Sequence, residues 1–154
     1  MPPADSLTTQ PIGFDKTGDT VYLLDSRDRD TSALTRVELA SGKSETVFVD
    51  PKADVANVLV HPTEFTLEAV SSNYLREKWQ VLGPALARGF ETLAKAAAGE
   101  FLVNARTLDD TTWVVAYVQD DGPVAYYLYQ RPARKATFLF TNRPALEGLP
   151  LMPM

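Results

Sequence analysis

The stretch TLDDTTWVVAYVQDDGPVAYYLYQ, residues 107–130, decides the fold. Two apolar runs flank a central Asp-Asp-Gly-Pro, in which Asp-Gly is a strong hairpin signal. In the first run Trp113, Val115 and Tyr117 point to one face of a strand, and Val114, Ala116 and Val118 point to the other. Both faces are therefore apolar, whereas an ordinary antiparallel sheet keeps one face in water. Something must cover the second face.

The rest of the chain carries the same kind of signal. Short runs rich in β-branched and aromatic residues alternate with turns rich in Asp, Gly and Pro, a pattern typical of antiparallel β-structure. We predict seven strands, at residues 20–27, 33–40, 45–50, 100–107, 111–119, 124–131 and 135–141. Residues 55–62 and 67–74 are expected to be extended, and residues 76–83 alternate Trp79 and Val81 with Gln80 and Leu82.

One segment, residues 84–98, is predicted to be helical. Pro84 suits the first turn of a helix, and Gly99 is a typical C-terminal stop. An apolar stripe at helical spacing is formed by Leu86, Phe90, Leu93 and Ala97.

Residues 18–51 and 109–144 share one plan, about ninety residues apart. Each has an acidic turn, an apolar strand, an Asp-rich loop, a second strand, a basic turn, a third strand and a closing Pro. Repeats of roughly forty to fifty residues are typical of β-propeller blades. The predicted fold is mainly β with one helix, in two to three antiparallel, blade-like sheets of a β-propeller fragment. Such blades would cover both faces of a central strand.

The predicted organisation is a flexible lead-in followed by one domain. Residues 1–11 form a flexible lead-in, and residues 12–154 form a partial β-propeller domain. Within that domain the blade-like repeats are expected at about 12–51, 52–99 and 100–143, followed by a Pro-rich tail at 144–154.

The residues also resemble a known family. DDTTWVVAYVQDDGPVAYYLYQR and KATFLFTNRPALEGLPLMPM are similar to the end of the β-propeller of bacterial serine peptidases of the prolyl oligopeptidase family, near the acylaminoacyl-peptidase and dipeptidyl-peptidase branches. The upstream SRDRDTSAL, HPTEFTLEAV and YLREKWQVL are similar to preceding blades. The resemblance covers roughly residues 13–154. It implies a propeller that caps an α/β-hydrolase domain and filters peptide substrates by size.

The chain departs from that family where the chemistry lies. It has no G-x-S-x-G nucleophile elbow, and its single histidine lies in a propeller-like segment. The propeller glutamates that grip a substrate amino terminus in some members have no match here. We therefore assign no catalytic, cofactor-binding or metal residue and expect no enzyme activity from this chain. We expect the chain to be an excised part of the propeller, with the hydrolase domain of the parent protein as its partner.

Composition limits which partners and which cellular location we expect for the chain. The 154 residues carry a net charge of −5, which disfavours a nucleic-acid partner. They lack a long apolar run, so we expect no membrane span. The first ten residues lack the basic region and apolar core of a signal peptide. The absence of cysteine suits a reducing cytosol but also many exported proteins, so the compartment stays open.

Four features could carry chemistry, and for each we favour a structural interpretation. SGKS (41–44) contains the tail of a phosphate loop, but Val37 replaces the required glycine and a strand follows. Asp25, Asp28 and Asp30 could hold Ca²⁺, but their spacing is not that of an EF-hand. His61 has no nucleophile partner. The aromatic residues alternate at strand spacing, which favours core packing over a stacking platform: Trp113, Tyr117, Tyr126, Tyr127, Tyr129, Phe138 and Phe140.

Two functions remain open. The chain is either a non-catalytic propeller segment that scaffolds and gates a hydrolase domain, or a free-standing β interaction or ligand-binding domain. An enzyme with an unrecognised carboxylate site is the weakest alternative. Because two or three blades leave apolar faces bare, we also expect self-association. Candidate bare residues are Val21, Leu23, Trp113, Val115 and Tyr117.

Overall fold

The computed structural model describes residues 8–149. In this part of the chain there are eleven strands, one α-helix and a short 3-10 helix at Pro144–Leu146. The strands are β1 Gln10–Phe14, β2 Thr20–Asp25, β3 Ala33–Glu38, β4 Ser44–Phe48, β5 Val55–Val60, β6 Leu67–Asn73, β7 Glu77–Val81, β8 Glu100–Arg106, β9 Thr112–Val118, β10 Ala125–Gln130 and β11 Lys135–Thr141. The helix, α1, is Pro84–Ala96. No helix among the described residues is both long and apolar enough to cross a membrane.

The strands form three antiparallel sheets, each built in chain order. The first sheet contains β1 to β4, the middle sheet β5 to β7, and the last sheet β8 to β11. Consecutive strands pair through short turns. The prediction of a mainly β fold with one helix and antiparallel sheets is confirmed.

The first and last sheets have the same register, residue for residue, with an offset of 92. Thr20 pairs with Glu38 in the first sheet, and Thr112 pairs with Gln130 in the last. Both sheets carry a β-bulge at the same two places. One lies between Pro11 and Gly13 and again between Val103 and Ala105. The other follows Leu34 and again Tyr126. The internal repeat seen in the sequence is therefore a repeat of backbone geometry.

The first hairpin turns are also equivalent. Asp15 N donates to Thr20 O at 2.9 Å, and Thr107 N donates to Thr112 O at 3.0 Å. Both turns need a residue with positive φ, which is Gly18 (79°) in the first and Asp110 (56°) in the second. Glycine adopts that conformation without strain, and Asp tolerates it better than most residues.

The described chain divides into two compact units, which meet in sequence at Gly83 and Pro84. In the first unit, the first and middle sheets share one core. Leu34 of β3 packs with Val55 of β5 and Val70 of β6, and half-buried apolar side chains surround them.

In the second unit, α1 covers one face of the last sheet. Its buried side chains Leu86, Phe90 and Leu93 form the predicted stripe. The Tyr117 hydroxyl of β9 donates to Leu93 O at 2.7 Å, and Phe90 meets Trp113 edge to face with ring centroids 6.2 Å apart. The helix is what covers the Trp113 face of the sheet.

Four expectations change. Trp113, Val115 and Tyr117 are fully buried rather than bare, because α1 packs on them. Strand β1 was not predicted, and it begins inside the proposed lead-in. The helix ends at Ala96 rather than at residue 98. It also belongs to the compact unit of the last sheet, not to the middle repeat.

Candidate functional site

The carboxylate of Asp110, in the turn between β8 and β9, accepts hydrogen bonds from three side chains of the second unit. The residue is only 5% exposed. Its Oδ1 accepts from Trp113 Nε1 at 2.8 Å and from Arg106 Nε at 2.6 Å. Its Oδ2 accepts from the Arg131 guanidinium, which also donates to Asp110 O at 3.1 Å. We call Arg106, Asp110, Trp113 and Arg131 the Asp110 cluster.

Both guanidiniums of this cluster also lie against the indole of Trp113. The Arg106 and Arg131 carbons Cζ are 4.9 and 5.0 Å from the ring centroid, within cation–π range. The same indole meets the ring of Tyr129, with centroids 5.7 Å apart. The cluster therefore joins β8, β9 and the residue that follows β10 into one packed arrangement.

The chemistry of the Asp110 cluster is structural. Charge-assisted hydrogen bonds to two guanidiniums are strong and occupy both carboxylate oxygens. A general base needs a free oxygen within reach of the proton that it removes. The four residues include no hydroxyl or thiol that could act as a nucleophile. This arrangement can fix the geometry of the end of the sheet at which β8 and β9 meet.

The SGKS segment forms a hairpin turn between β3 and β4, as predicted. Gly42 N donates to Glu38 O at 2.8 Å, and the Ser41 hydroxyl donates to the Glu38 carboxylate at 2.6 Å. Because β4 follows directly, the turn lacks the helix that a phosphate loop requires.

The carboxylate of Asp25 is engaged by its neighbour. Arg27 donates to it twice, at 2.8 and 2.7 Å, and this interaction holds the pKa of the Asp25 carboxyl below its usual value. Asp28 sits in the loop with a positive φ of 57°. Arg27 thus engages both oxygens of the Asp25 carboxylate.

His61 is tied into the turn between β5 and β6. Its Nδ1 accepts from the backbone N–H groups of Thr63 and Glu64, at 3.3 and 3.0 Å. This is the structural role that the sequence favoured.

The aromatic set divides between core and surface. Trp113, Tyr117 and Tyr129 are fully buried, as core packing requires. Phe138 and Phe140 are 51% and 54% exposed, so the core assignment is wrong for these two. They lie on β11 at the edge of the sheet, where neighbours are fewer. Phe140 instead stacks on Tyr126, with ring centroids 4.9 Å apart and planes inclined by 23°.

The sequence reasoning missed the Asp110 cluster. A local signal existed, an Asp three residues before a Trp, but the two arginines are 25 positions apart in the chain. They come together because Arg106 pairs with Trp113 across β8 and β9, and because Arg131 N is bonded to Thr111 O. Only the strand register brings them to one carboxylate.

With this geometry in place, comparison with known proteins shows that the chain is similar to segments of two dipeptidyl peptidases. The chain is 46% identical over 153 residues to dipeptidyl aminopeptidase BIII of Pseudoxanthomonas mexicana, which is 99% of this chain and 22% of that protein. It is 29% identical over 145 residues to dipeptidyl peptidase family member 6 of Caenorhabditis elegans, covering 93% of this chain and 20% of that protein. No family model matches the chain.

These matches confirm the resemblance read from the sequence. Over almost its whole length the chain is similar to a segment of each of these two proteins. It spans about a fifth of the length of the curated relatives that it matches.

Proposed function

We propose that this chain is a non-catalytic β-propeller segment of a serine peptidase of the prolyl oligopeptidase type, which scaffolds an α/β-hydrolase domain and limits access to its active site. The observation that carries the proposal is the repeated register of the first and last sheets. Both are four-stranded meanders with the same two bulges at an offset of 92 residues. Repetition of one four-stranded unit is the building rule of a propeller.

The packing of the first unit supports the same proposal. Propeller blades bury their faces against neighbouring blades. Leu34 of the first sheet and Val70 of the middle sheet share a core in this way. The role of the Asp110 cluster also fits, because a scaffold needs rigid sheet edges rather than reactive groups.

A labelling experiment tests the non-catalytic part of the proposal. We expect no serine of the isolated chain to react with a fluorophosphonate probe and no hydrolysis of chromogenic acyl-amino-acid, dipeptidyl or Xaa-Pro substrates. The reason is that the sequence has no G-x-S-x-G elbow. An active serine peptidase labelled in parallel is the control. Stoichiometric labelling of any serine in this chain would refute this part.

A graft tests scaffolding and gating. The chain replaces its matching segment in dipeptidyl aminopeptidase BIII, where 46% identity supports correct folding. We expect the graft to keep that protein's ratio of activities on a dipeptidyl chromogenic substrate and on a long polypeptide. A Trp113→Ala graft should change the ratio, because it loosens the sheet that would line the entrance. If a flexible Gly-Ser replacement keeps both the activity and the ratio, the segment neither scaffolds nor gates.

A further inference from the structure

A cationic groove runs between α1 and the turn that joins β10 to β11. It has a volume of about 680 Å³, and its lining residues are Arg88, Glu91, Thr92, Lys95, Ala96, Arg134, Lys135 and Ala136. A second pocket of about 440 Å³ shares Arg88 and Arg134 with it and reaches inward to Tyr129 and Arg131. The second pocket is also lined by the carboxylates of Asp109 and Asp110, so we call only the first, cationic pocket the α1 groove.

Positively charged side chains outnumber negatively charged ones in the α1 groove. Arg88, Lys95, Arg134 and Lys135 are exposed, and in the described part of the chain none of these four forms an ion pair. By contrast, three basic residues of the first unit each form an ion pair with a carboxylate: Lys16, Arg27 and Arg36. Four cations against Glu91 stand out in a protein of net charge −5. A concave surface lined by one sign of charge concentrates ligands of the opposite sign.

The backbone at Arg134 is strained. Its φ of 49° lies in the left-handed region, and the equivalent residue in the first sheet is Gly42, with φ 68°. A residue with a side chain loses roughly 1–2 kcal/mol in that conformation, whereas glycine does not. The last sheet thus has an arginine at a position where glycine would make the fold more stable. Strain of this kind concentrates at ligand-binding positions.

The spacing of the cations selects the ligand. Arg88 and Lys95 are two helical turns apart, which is roughly 10 Å along the axis at 1.5 Å per residue. One small anion cannot reach both. An extended polypeptide advances about 3.3 Å per residue, so carboxylates three residues apart match this distance.

We propose that the α1 groove binds an extended acidic segment of a polypeptide. One carboxylate lies between Arg88 and Arg134. A second carboxylate, three residues away, lies against Lys95, and Lys135 adds to the attraction.

The test measures binding of a fluorescein-labelled peptide, Glu-Gly-Gly-Glu-Gly-Gly-Glu, by anisotropy with the full chain. We expect binding that weakens as NaCl rises from about 10 to 150 mM, because screening lengths shorten over that range. The same peptide with Gln for Glu should not bind. Inorganic phosphate at equal concentration should not displace the acidic peptide.

The decisive variant is Arg134→Gly, which copies Gly42. We expect a loss of affinity of about tenfold or more, since charge-assisted contacts of this kind contribute on that scale. The melting temperature should rise, because the strain is relieved. If Arg134 served only to stabilise the fold, Arg134→Gly would lower the melting temperature and leave the affinity unchanged. Arg134→Lys should retain part of the affinity.

The matched control is Lys43→Ala, which removes one positive charge from the equivalent turn of the first sheet and should leave binding unchanged. Three outcomes would overturn the proposal. They are no binding of the acidic peptide, wild-type affinity in Arg134→Gly, and displacement by phosphate at equal concentration, which would make the groove a small-anion site.

Discussion

Trp113 is the residue on which the core of the second unit depends. It is fully buried, bonded to Asp110, flanked by two guanidiniums and packed on Phe90 and Tyr129. Few residues of the described chain join so many kinds of interaction. Its loss would both open a cavity and leave the Asp110 carboxylate without one donor.

We therefore expect Trp113→Ala to lower the free energy of unfolding by about 3–5 kcal/mol, the usual cost for a buried large aromatic. Chemical denaturation followed by circular dichroism measures it. The exposed control Lys135→Ala should stay within about 0.5 kcal/mol. Equal, small effects for both variants would contradict the packing described for this face of the sheet.

Gly99 has a different importance, set by backbone geometry alone. Its φ is 98°, and a Cβ there would stand 2.3 Å from the carbonyl oxygen of Val118. That oxygen belongs to the backbone and cannot move aside cheaply. The sequence singled out Gly99 as a helix stop, but the structure places it at the entry to β8, three residues beyond the end of the helix.

We expect Gly99→Ala to destabilise the protein by at least about 1–3 kcal/mol from the positive φ alone, with the clash in addition. Gly13→Ala is the matched control, because a Cβ at Gly13 has nothing within 4 Å. Thermal unfolding of the two variants compares them directly. A similar melting temperature for both would show that the approach of Gly99 to Val118 is not a constraint.

Among the elements, the contact of α1 with β9 has a titratable group at its centre. Burial raises the pKa of Tyr117 to about 12, and its hydroxyl donates to Leu93 O. In the unfolded chain a tyrosine ionises near 10. The folded state therefore binds the proton more tightly, and the stability that this provides is complete below pH 10.

Between pH 10 and 12 the unfolded chain loses this proton while the folded chain keeps it, so stability should fall as pH rises. We expect Tyr117→Phe to be less stable at pH 7, by about 1 kcal/mol for the lost hydrogen bond. It should also lose less stability above pH 10 than the wild type. Urea denaturation across this pH range measures both effects. An unchanged pH dependence in Tyr117→Phe would argue that the hydroxyl is not buried.

Most elements could be predicted from the sequence because each carries its own local signal. All seven predicted strands are present, since β-formers bounded by turn residues mark each one. The segments expected to be extended or alternating, 55–62, 67–74 and 76–83, are strands β5, β6 and β7. Strand β1 was not predicted, because Pro11 and Gly13 are residue types that are rare in strands. They are tolerated here because β1 is an edge strand with a bulge at that point. The Asp110 cluster and the α1 groove were not predicted for another reason. Both are formed by residues that are distant in sequence and come together only through strand pairing and helix packing.

At the scale of the whole molecule, the edge strand β11 is the surface most suited to association. It lies at the edge of the last sheet, and Phe138, Leu139 and Phe140 are all exposed. Long, apolar edge strands template pairing with another chain. This surface replaces the Trp113 face that the sequence suggested.

We accordingly expect two copies to pair through β11 at micromolar concentration, giving about twice the 17.0 kDa of the monomer by light scattering after size exclusion. Phe138→Lys should restore the monomer, because a charge on an edge strand blocks pairing. The control is Leu75→Lys, which places the same charge at an exposed apolar residue in the turn between β6 and β7. A wild-type protein that stays monomeric would contradict the expectation, as would equal disruption by both variants.

The equal register of the first and last sheets has one more consequence, which concerns the spacing of the chain rather than its chemistry. From residue 10 to 48 and from 102 to 140 no insertion or deletion separates the two copies. Yet only five positions are identical: Thr20 and Thr112, Asp28 and Asp120, Ala33 and Ala125, Lys43 and Lys135, and Phe48 and Phe140. The two copies agree in length far more closely than in composition. In such a sheet, adding or deleting a single residue within a strand should destabilise the fold more than almost any substitution. The reason is that a one-residue shift changes the cross-strand partner of every residue that follows in that strand.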